Sequence, residues 1–337
     1  MDFKGAHILS IRQFDRSDIE TLFRTADLME PYAQRKRVTR VLEGAILGNM
    51  FFEPSTRTRV SFGCAFNLLG GEVRETTGFS SSAVVKGESL EDTARVLSGY
   101  SDVICMRHPE AGSVAAFASS SRVPVINGGD GPNEHPTQAL LDLYTIKKEL
   151  AGRGLTIDGL RIAMVGDLKF GRTVHSLCKL LKLFNNIHVT LVSPVELAMP
   201  AELVEEMRES GIVVVITDQL ESGIAHADIV YSTRIQEERF TSSEEADLYR
   251  GKMRINQAIY TQYCEPNTVI MHPLPRDSRA EANELDRDLD SNPNLAIFRQ
   301  TDNGILVRMA LFAHILDVVD LVDKYSADVR WFNSRQG

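Results

Sequence analysis

The strongest constraint on the fold is a regular alternation between short aliphatic runs and longer amphipathic stretches. Because uninterrupted aliphatic runs are typical of strands buried on both faces, this alternation predicts an α/β protein whose parallel β-sheets are flanked by helices. We predict strands at residues 45–52, 103–106, 123–126, 161–165, 188–192, 213–216, 229–232 and 269–271. We predict helices at residues 15–33, 56–69, 90–98, 137–149, 173–184, 201–209 and about 304–325.

The chain has 337 residues, which is enough for two domains with one such sheet each. From the residues alone, the break between them is best placed at 151–154, which carries two glycines. The aliphatic runs are far shorter than the ~20 residues that span a bilayer, so no membrane segment is expected. A net charge of −9 argues against a general nucleic-acid binder. The first residues lack the apolar core of a secretory signal, so we expect a cytoplasmic protein.

The four cysteines give no sign of a metal site or of a disulfide framework. Cys64, Cys105, Cys178 and Cys264 are far apart, and no two of them form a C-x-x-C pair. Isolated buried thiols are the simpler interpretation.

A candidate anion site follows the first predicted strand, at Ser55-Thr56-Arg57-Thr58-Arg59. Ser55 is well suited to be the N-cap of the next helix. The helix dipole, the hydroxyl groups and the guanidinium of Arg57 would then favour a phosphate group. The alternative is an ordinary capped helix with surface arginines. The order of these residues, directly after a buried strand, favours the anion site.

Two more candidate sites follow predicted strands of the first half of the chain. Arg107 lies where the strand at 103–106 ends, and open α/β sheets bind ligands beyond the carboxyl ends of their strands. A glycine-rich loop is predicted after the strand at 123–126, and His135 and Gln138 follow it at a helix start. Glycines let the backbone approach a ligand closely, and a histidine can donate or accept near neutral pH.

The second half of the chain repeats this arrangement with more arginines. Arg172 follows the strand at 161–165 through a glycine turn, and Arg234 and Gln236 follow the strand at 229–232. The glycine turn superficially permits a nicotinamide-linked dehydrogenase, but the G-x-G-x-x-G spacing is missing. Arginines at several strand ends indicate one or two small substrates with several negative charges.

Two further segments are less specific when taken alone. Ser82 and Lys86 lie in a polar stretch that composition alone assigns to a mobile surface loop. Pro273 and Pro275 flank Leu274 and stiffen the backbone, so its carbonyl would point in a fixed direction. A rigid turn without a ligand is the alternative here.

Taken together, the motifs resemble the transcarbamylase family, and within it the catalytic chains of aspartate carbamoyltransferases. The resemblance covers nearly the whole sequence. It rests on residues 55–59, on the His-Pro-Thr-Gln motif at 135–138 and on the His-Pro-Leu-Pro-Arg motif at 272–276. Ornithine enzymes usually carry a cysteine after the last histidine and a Ser-Met-Gly loop, and neither occurs here.

The resemblance implies transfer of a carbamoyl group from carbamoyl phosphate to L-aspartate, a step of pyrimidine synthesis, with no cofactor and no metal. It implies that catalysis depends on Arg57, Thr58, Lys86, Arg107 and His135. It implies a carbamoyl-phosphate site made of Ser55, Thr56, Arg57, Thr58, Ser82, Lys86, Arg107, His135, Gln138, Pro273 and Leu274. It implies an aspartate site made of Lys86, Arg172, Arg234, Gln236 and Leu274.

The same resemblance implies the transcarbamylase fold. Its carbamoyl-phosphate domain would comprise residues 1–137 and 304–337, and its aspartate domain would comprise residues 138–303. Ser82 and Lys86 would come from a neighbouring subunit, which implies a homotrimer with shared active sites. A separate regulatory chain is possible, and the tail after about Tyr325 has no implied role. The alternatives are an ornithine-type carbamoyltransferase and a catalytically inactive homologue.

Overall fold

Two parallel β-sheets form in the chain, one in each of two units. A computed structural model describes residues 1–77, 87–240, 242 and 247–333. The first unit is Met1–Leu140 together with Asp302–Gly337, and the second is Leu141–Thr301. The predicted α/β class, with parallel sheets flanked by helices, is confirmed.

The strands of the first unit are β2 (Ile46–Phe51), β3 (Glu72–Thr77), β4 (Val103–His108) and β5 (Val125–Asp130). They form a sheet in the order β3-β2-β4-β5, and all neighbouring strands run parallel. Buried side chains such as Met50, Ile104, Met106 and Phe117 form a hydrophobic cluster with these strands. All six residues of β4 and of β5 are buried, which is why their aliphatic runs are uninterrupted.

The helices of this unit follow its strands or pack beside them. The chain begins with α1 (Arg16–Leu28), α2 (Glu30–Ala33), α3 (Thr56–Leu68), α4 (Leu90–Leu97) and α5 (Ser113–Ser120). Side-chain caps mark the start of two of them, α1 and α4: Ser89 accepts a hydrogen bond from the N–H of Asp92 at the start of α4 (3.0 Å).

The sheet of the second unit has the order β10-β9-β6-β7-β8, again with every neighbouring pair parallel. Its strands are β6 (Arg161–Val165), β7 (His188–Val192), β8 (Val213–Thr217), β9 (Ile229–Ser232) and β10 (Val269–Met271). Its helices are α7 (Arg172–Leu181), α8 (Ala201–Glu209), α9 (Leu220–Ile224) and α10 (Gln257–Tyr263).

Helix α6 (Pro136–Ala151) contains the boundary between the two units, which falls after Leu140. The break that the glycines favoured, at residues 151–154, lies further along the chain, where this helix ends. The return crossing lies within a second helix, α11 (Ile297–Ile315), which starts and ends earlier than predicted.

Two features of the first sheet differ from the prediction. Strand β3 was not predicted because its residues are mostly polar, as suits its place at the edge of the sheet. Strand β5 continues through Gly128 and Gly129, so these glycines form part of a buried strand and not of a loop. Gly128 lies beside β4, where a Cβ would meet the Met106 carbonyl oxygen at 3.2 Å.

The C-terminal part of the chain, from Asp302 onwards, belongs to the first unit. The Phe312 ring of α11 packs at about a right angle on Phe62 and Phe66. The short strands β1 (Arg37–Thr39) and β11 (Ser326–Asp328) then pair antiparallel. In the described part of the chain, none of the helices is both long enough and apolar enough to span a membrane.

Candidate active site

The first group of predicted site residues lies where β2 leads into α3. Ser55 occupies the N-cap position with extended backbone angles (φ −162°, ψ 92°), yet its hydroxyl accepts no capping hydrogen bond from the described helix. The N–H groups of the first turn are thus not satisfied by the cap side chain. Thr56 and Arg57 are exposed, whereas Thr58 is buried. Backbone N–H groups, hydroxyl groups and the Arg57 guanidinium therefore lie at the positive end of the helix, an arrangement that suits an anion.

Arg107 is a buried cation near the carboxyl end of β4. Only 9% of the residue is exposed, and its Nε donates to Glu53 Oε2 at 2.9 Å. Burial lowers the pKa of the Arg107 guanidinium, while the Glu53 carboxylate acts in the opposite direction. Glu53 lies two residues after the end of β2, the strand that pairs with β4. A partly buried ion pair therefore joins β4 to the segment that leads from β2 into α3.

His135 lies close to the same helix start. Its Nε2 atom is 3.5 Å from Thr58 Oγ1, and both residues are buried. His135 immediately precedes α6, and its carbonyl accepts a hydrogen bond from the N–H of Gln138 at 3.0 Å. The Thr58 hydroxyl and the His135 imidazole can thus hydrogen-bond the same ligand atom from two sides.

The loop that leads to His135 is shaped by a carboxylate that the sequence did not single out. Asp130 is 2% exposed and ends β5. It accepts hydrogen bonds from the side chains of Asn127 and Asn133 and from the backbone N–H groups of Gly112 and Glu134, at 2.9–3.2 Å. Four donors on one buried carboxylate hold the loop in a single conformation.

Arg59 is the member of the first motif that turns away from this group. Its guanidinium pairs with Glu75 on the edge strand β3. Glu75 also accepts a hydrogen bond from Asn49 Nδ2 at 2.9 Å. Arg59 is consequently engaged in the sheet, and Arg57 is the arginine of this motif that stays at the helix start.

In the second unit, the backbone just after β6 lies very close to the backbone just after β9. Gly166 has a φ of +116°, and a Cβ there would lie 2.2 Å from the Thr233 carbonyl oxygen, so only glycine fits. The next residue, Asp167, is buried and accepts from the N–H groups of Phe170 (3.0 Å) and Gln236 (3.1 Å). Burial raises the pKa of the Asp167 carboxyl, although these N–H groups oppose the shift.

These contacts connect the loops that carry the predicted aspartate ligands. Arg172 is the first residue of α7, and Arg234 and Gln236 follow β9. The Gln236 side chain donates from Nε2 to the Phe170 carbonyl at 2.7 Å, two residues before Arg172. Both arginines are half-buried, and Arg234 Nη1 donates to the Ile235 carbonyl at 3.1 Å.

The Pro273-Leu274-Pro275 segment is held by the histidine that precedes it. His272 Nδ1 accepts a hydrogen bond from the N–H of Leu274 at 2.8 Å, and its Nε2 lies 2.7 Å from Glu284 Oε1. Leu274 has a φ of +58° and is followed by a cis peptide bond. An acceptor at Nδ1 fixes the proton of the neutral ring on Nε2, where it faces a carboxylate. Arg276 pairs instead with Asp290, at 2.8 Å.

Ser82 and Lys86 lie outside the described residues. Of the other predicted site residues, the structure groups the hydroxyl, guanidinium and imidazole groups within the first unit, and it groups the loops of the aspartate set within the second. Within the described ranges, no group of three or more His, Cys, Asp or Glu residues is arranged to hold a metal ion.

Models of two protein domains match the chain. The carbamoyl-phosphate-binding domain of aspartate/ornithine carbamoyltransferases matches residues 6–148. The aspartate/ornithine-binding domain of the same enzymes matches residues 158–315. Together these models cover most of the sequence.

Individual proteins give the same result. The catalytic subunit of aspartate carbamoyltransferase from Cellvibrio japonicus is 78% identical over 334 residues, which is 99% of each chain. Among solved structures, aspartate transcarbamoylase from Trypanosoma cruzi in complex with carbamoyl phosphate and aspartate has a TM-score of 0.85 at 39% identity, covering 93% of this chain and 98% of that one. The catalytic subunit from M. jannaschii has a TM-score of 0.84 at 43% identity, covering 92% and 98%.

Proposed function

Because the chain belongs to the aspartate/ornithine carbamoyltransferase family, we propose that its first unit binds carbamoyl phosphate and its second unit binds L-aspartate. The enzyme transfers the carbamoyl group of carbamoyl phosphate to the amine of L-aspartate, which gives N-carbamoyl-L-aspartate and phosphate. The buried Arg107, paired with Glu53 in the segment that leads into α3, is the observation that carries the assignment of carbamoyl phosphate to the first unit.

The phosphate group would bind at the start of α3. Ser55, Thr56, Arg57 and Thr58 would supply hydroxyl and N–H donors and one full positive charge there. A helix N-terminus whose N-cap side chain makes no capping hydrogen bond, together with an exposed guanidinium, favours a dianion over a neutral ligand. Arg107 would exchange its hydrogen bond with Glu53 for one with the ligand, so that a buried cation keeps a partner in both states.

The carbonyl oxygen of the carbamoyl group would lie between Thr58, Arg107 and His135. Charge grows on this oxygen as the amine attacks, and fixed donors stabilise that charge by about 2.7–4 kcal/mol each in comparable sites. The 3.5 Å distance between Thr58 Oγ1 and His135 Nε2 supports a common target for both groups. Gln138, one turn into α6, would bind the carbamoyl amide.

Arg172, Arg234 and Gln236 would bind the two carboxylates of aspartate. Paired guanidinium groups match carboxylates in charge and geometry, whereas ornithine would bring a second amine to the same cations. The backbone carbonyls of Pro273 and Leu274 would accept hydrogen bonds from the carbamoyl and amino groups. The leaving phosphate can take the proton of the amine, so the proposal needs no protein base.

The assignment of the substrates is tested by calorimetry and a product assay. We expect carbamoyl phosphate alone to bind, and N-(phosphonacetyl)-L-aspartate to bind more tightly, because it joins a phosphonate to two carboxylates. We expect turnover with aspartate and none with ornithine. Turnover with ornithine would favour the ornithine-type alternative, and tight binding without turnover on either amine would favour an inactive homologue.

We also propose that Ser82 and Lys86 complete the site of a neighbouring subunit in a homotrimer, as in the family that the chain resembles. The Arg57→Ala and Lys86→Ala proteins, each inactive, should regain activity when mixed under conditions of subunit exchange. The reason is that a mixed trimer contains at least one site with neither substitution. No recovery despite proven exchange would contradict a shared site. A regulatory chain and a cytoplasmic location remain predictions.

A further inference from the structure

A buried carboxylate in the second unit is engaged by two side chains from distant parts of the sequence. Asp142 lies in α6 and is fully buried. Its Oδ2 accepts a hydrogen bond from the Tyr231 hydroxyl, and its Oδ1 accepts one from Gln300 Nε2, both at 2.6 Å. Tyr231 belongs to β9 and Gln300 to α11, and both are buried. One carboxylate thus connects three elements of the unit.

The connection continues to the loops that carry the predicted aspartate ligands. Tyr231 lies three residues before Arg234, at the carboxyl end of the same strand. The side chain of Thr173, the neighbour of Arg172 in α7, acts on the same hydroxyl and opposes the rise of its pKa. Two arginines are therefore linked to Asp142 through one phenol.

Gln300 makes the corresponding link to Leu274. Its Oε1 accepts a hydrogen bond from the backbone N–H of His272 at 2.9 Å, directly after β10. His272 in turn accepts from the N–H of Leu274 at 2.8 Å. A chain of hydrogen bonds therefore runs from Asp142 through Gln300 and His272 to the segment that would contact the substrate.

The donor and the acceptor of each hydrogen bond in this chain are fixed. Burial, followed by the charge of Asp142, raises the pKa of the Tyr231 phenol well above its ordinary value, so the phenol stays a donor. The His272 N–H can only donate, which requires an oxygen on Gln300 at that end and an N–H donor at the other. Only an acceptor at residue 142 completes the pattern.

A buried carboxylate is costly, and well-packed apolar side chains often replace such groups without loss of stability. None of the three side chains is itself among the predicted ligands. We propose that Asp142, Tyr231 and Gln300 are positioning residues that fix the Arg172, Arg234 and Leu274 loops relative to one another for aspartate. This inference rests on the proposed assignment of aspartate to the second unit.

The test exchanges the carboxylate and the amide. Asp142→Asn places an amide donor against one of the two groups that donate to the carboxylate, Tyr231 or Gln300. Gln300→Glu alone places two buried carboxylates against each other. In the double variant, the introduced amide donates to the introduced carboxylate, which still accepts from the His272 N–H. Hydrogen bonds and net charge are then both restored.

We expect Asp142→Asn to raise the KM for aspartate about tenfold at saturating carbamoyl phosphate, since a hydrogen-bonded charge is lost. We expect the double variant to return to within about threefold of the wild-type KM. The Kd of carbamoyl phosphate, measured by calorimetry without aspartate, should rise less than the KM for aspartate, by about threefold at most, because its phosphate binds to the first unit and only its carbamoyl group would contact the Leu274 segment. A double variant that folds but is no better than Asp142→Asn would overturn the proposal.

Tyr231→Phe provides a second test if Asp142→Asn does not fold. Its matched control is Tyr260→Phe, which also removes a buried hydroxyl from this unit, one that donates to the Thr268 carbonyl at 2.9 Å before β10 begins. We expect both to lower the melting temperature but only Tyr231→Phe to raise the KM for aspartate. Equal KM values would overturn this inference alone, whereas wild-type protein without turnover on aspartate would overturn the proposed function.

Discussion

The site residues of the first unit contact one another, whereas those of the second unit are held through intermediaries. In the first unit, Thr58 lies beside His135, and Arg107 donates directly to Glu53. In the second, Gln236 and the loop of Arg172 meet through Asp167 and a backbone carbonyl. Substituting a site residue of the first unit should therefore lower kcat directly. In the second unit, substituting a residue that does not contact the substrate can still displace the residues that do.

The largest effect is expected for Arg107→Ala. This change removes a buried donor from the carbonyl oxygen and leaves Glu53 without the cation that it accepts from. We expect kcat to fall about 100–1,000-fold, as for other oxyanion donors. Arg59→Ala is the matched control, because Arg59 belongs to the adjacent motif but pairs with Glu75. Steady-state kinetics of both proteins measure the difference, and similar losses in the two would contradict the assignment.

Asp130 tests this contrast between the units, because it belongs to the first unit but acts only by holding the loop that leads to His135. Asp130→Ala removes four hydrogen bonds from the loop before His135 and should lower the free energy of unfolding by about 2–4 kcal/mol. We expect kcat to fall only about tenfold, since the loop loses order but keeps its ligand.

Asp130→Asn is the control for this prediction, because it keeps an oxygen acceptor and should lose less of both quantities. Denaturant unfolding and kinetics measure the two effects separately. If Asp130→Ala reduced kcat as much as Arg107→Ala, the distinction between direct and indirect groups in the first unit would be lost.

The same difference explains what the sequence could predict. Residues 55–58, Arg107 and His135 carry their chemistry in short motifs at strand ends, and aliphatic runs located the five described strands β6–β10 of the second unit. The polar edge strand β3 gave no such run. The sequence around Asp142 has the pattern of an ordinary amphipathic helix and does not single out this residue. Its partners Tyr231 and Gln300 lie 89 and 158 residues away in the sequence. A buried polar group whose partners are that distant becomes visible only in three dimensions.

The smallest effect is expected at the surface of the second unit, next to Gln236. Glu237 accepts two hydrogen bonds from Arg250, at 2.7 and 2.8 Å, and one from Arg279, at 2.6 Å. Hydrogen bonds from Arg250 and then Arg279 lower the pKa of the Glu237 carboxyl to about 2. Asp247 and Asp277 face the same two arginines, so the cluster is a network of alternating charges.

The direction of the pH effect follows from this lowered pKa. An unfolded glutamate titrates near 4.5, so the folded protein releases the proton more readily, and the ion pairs stabilise the fold above that pH. This contribution is lost as the pH falls from about 4.5 to about 2. Glu237→Gln should therefore lower the free energy of unfolding at pH 6 slightly, because ion pairs that solvent partly reaches are screened and contribute little, and its difference from the wild type should shrink at pH 3. Urea unfolding at both pH values measures the change, and an equal difference at pH 3 and pH 6 would show that the carboxylate charge contributes nothing.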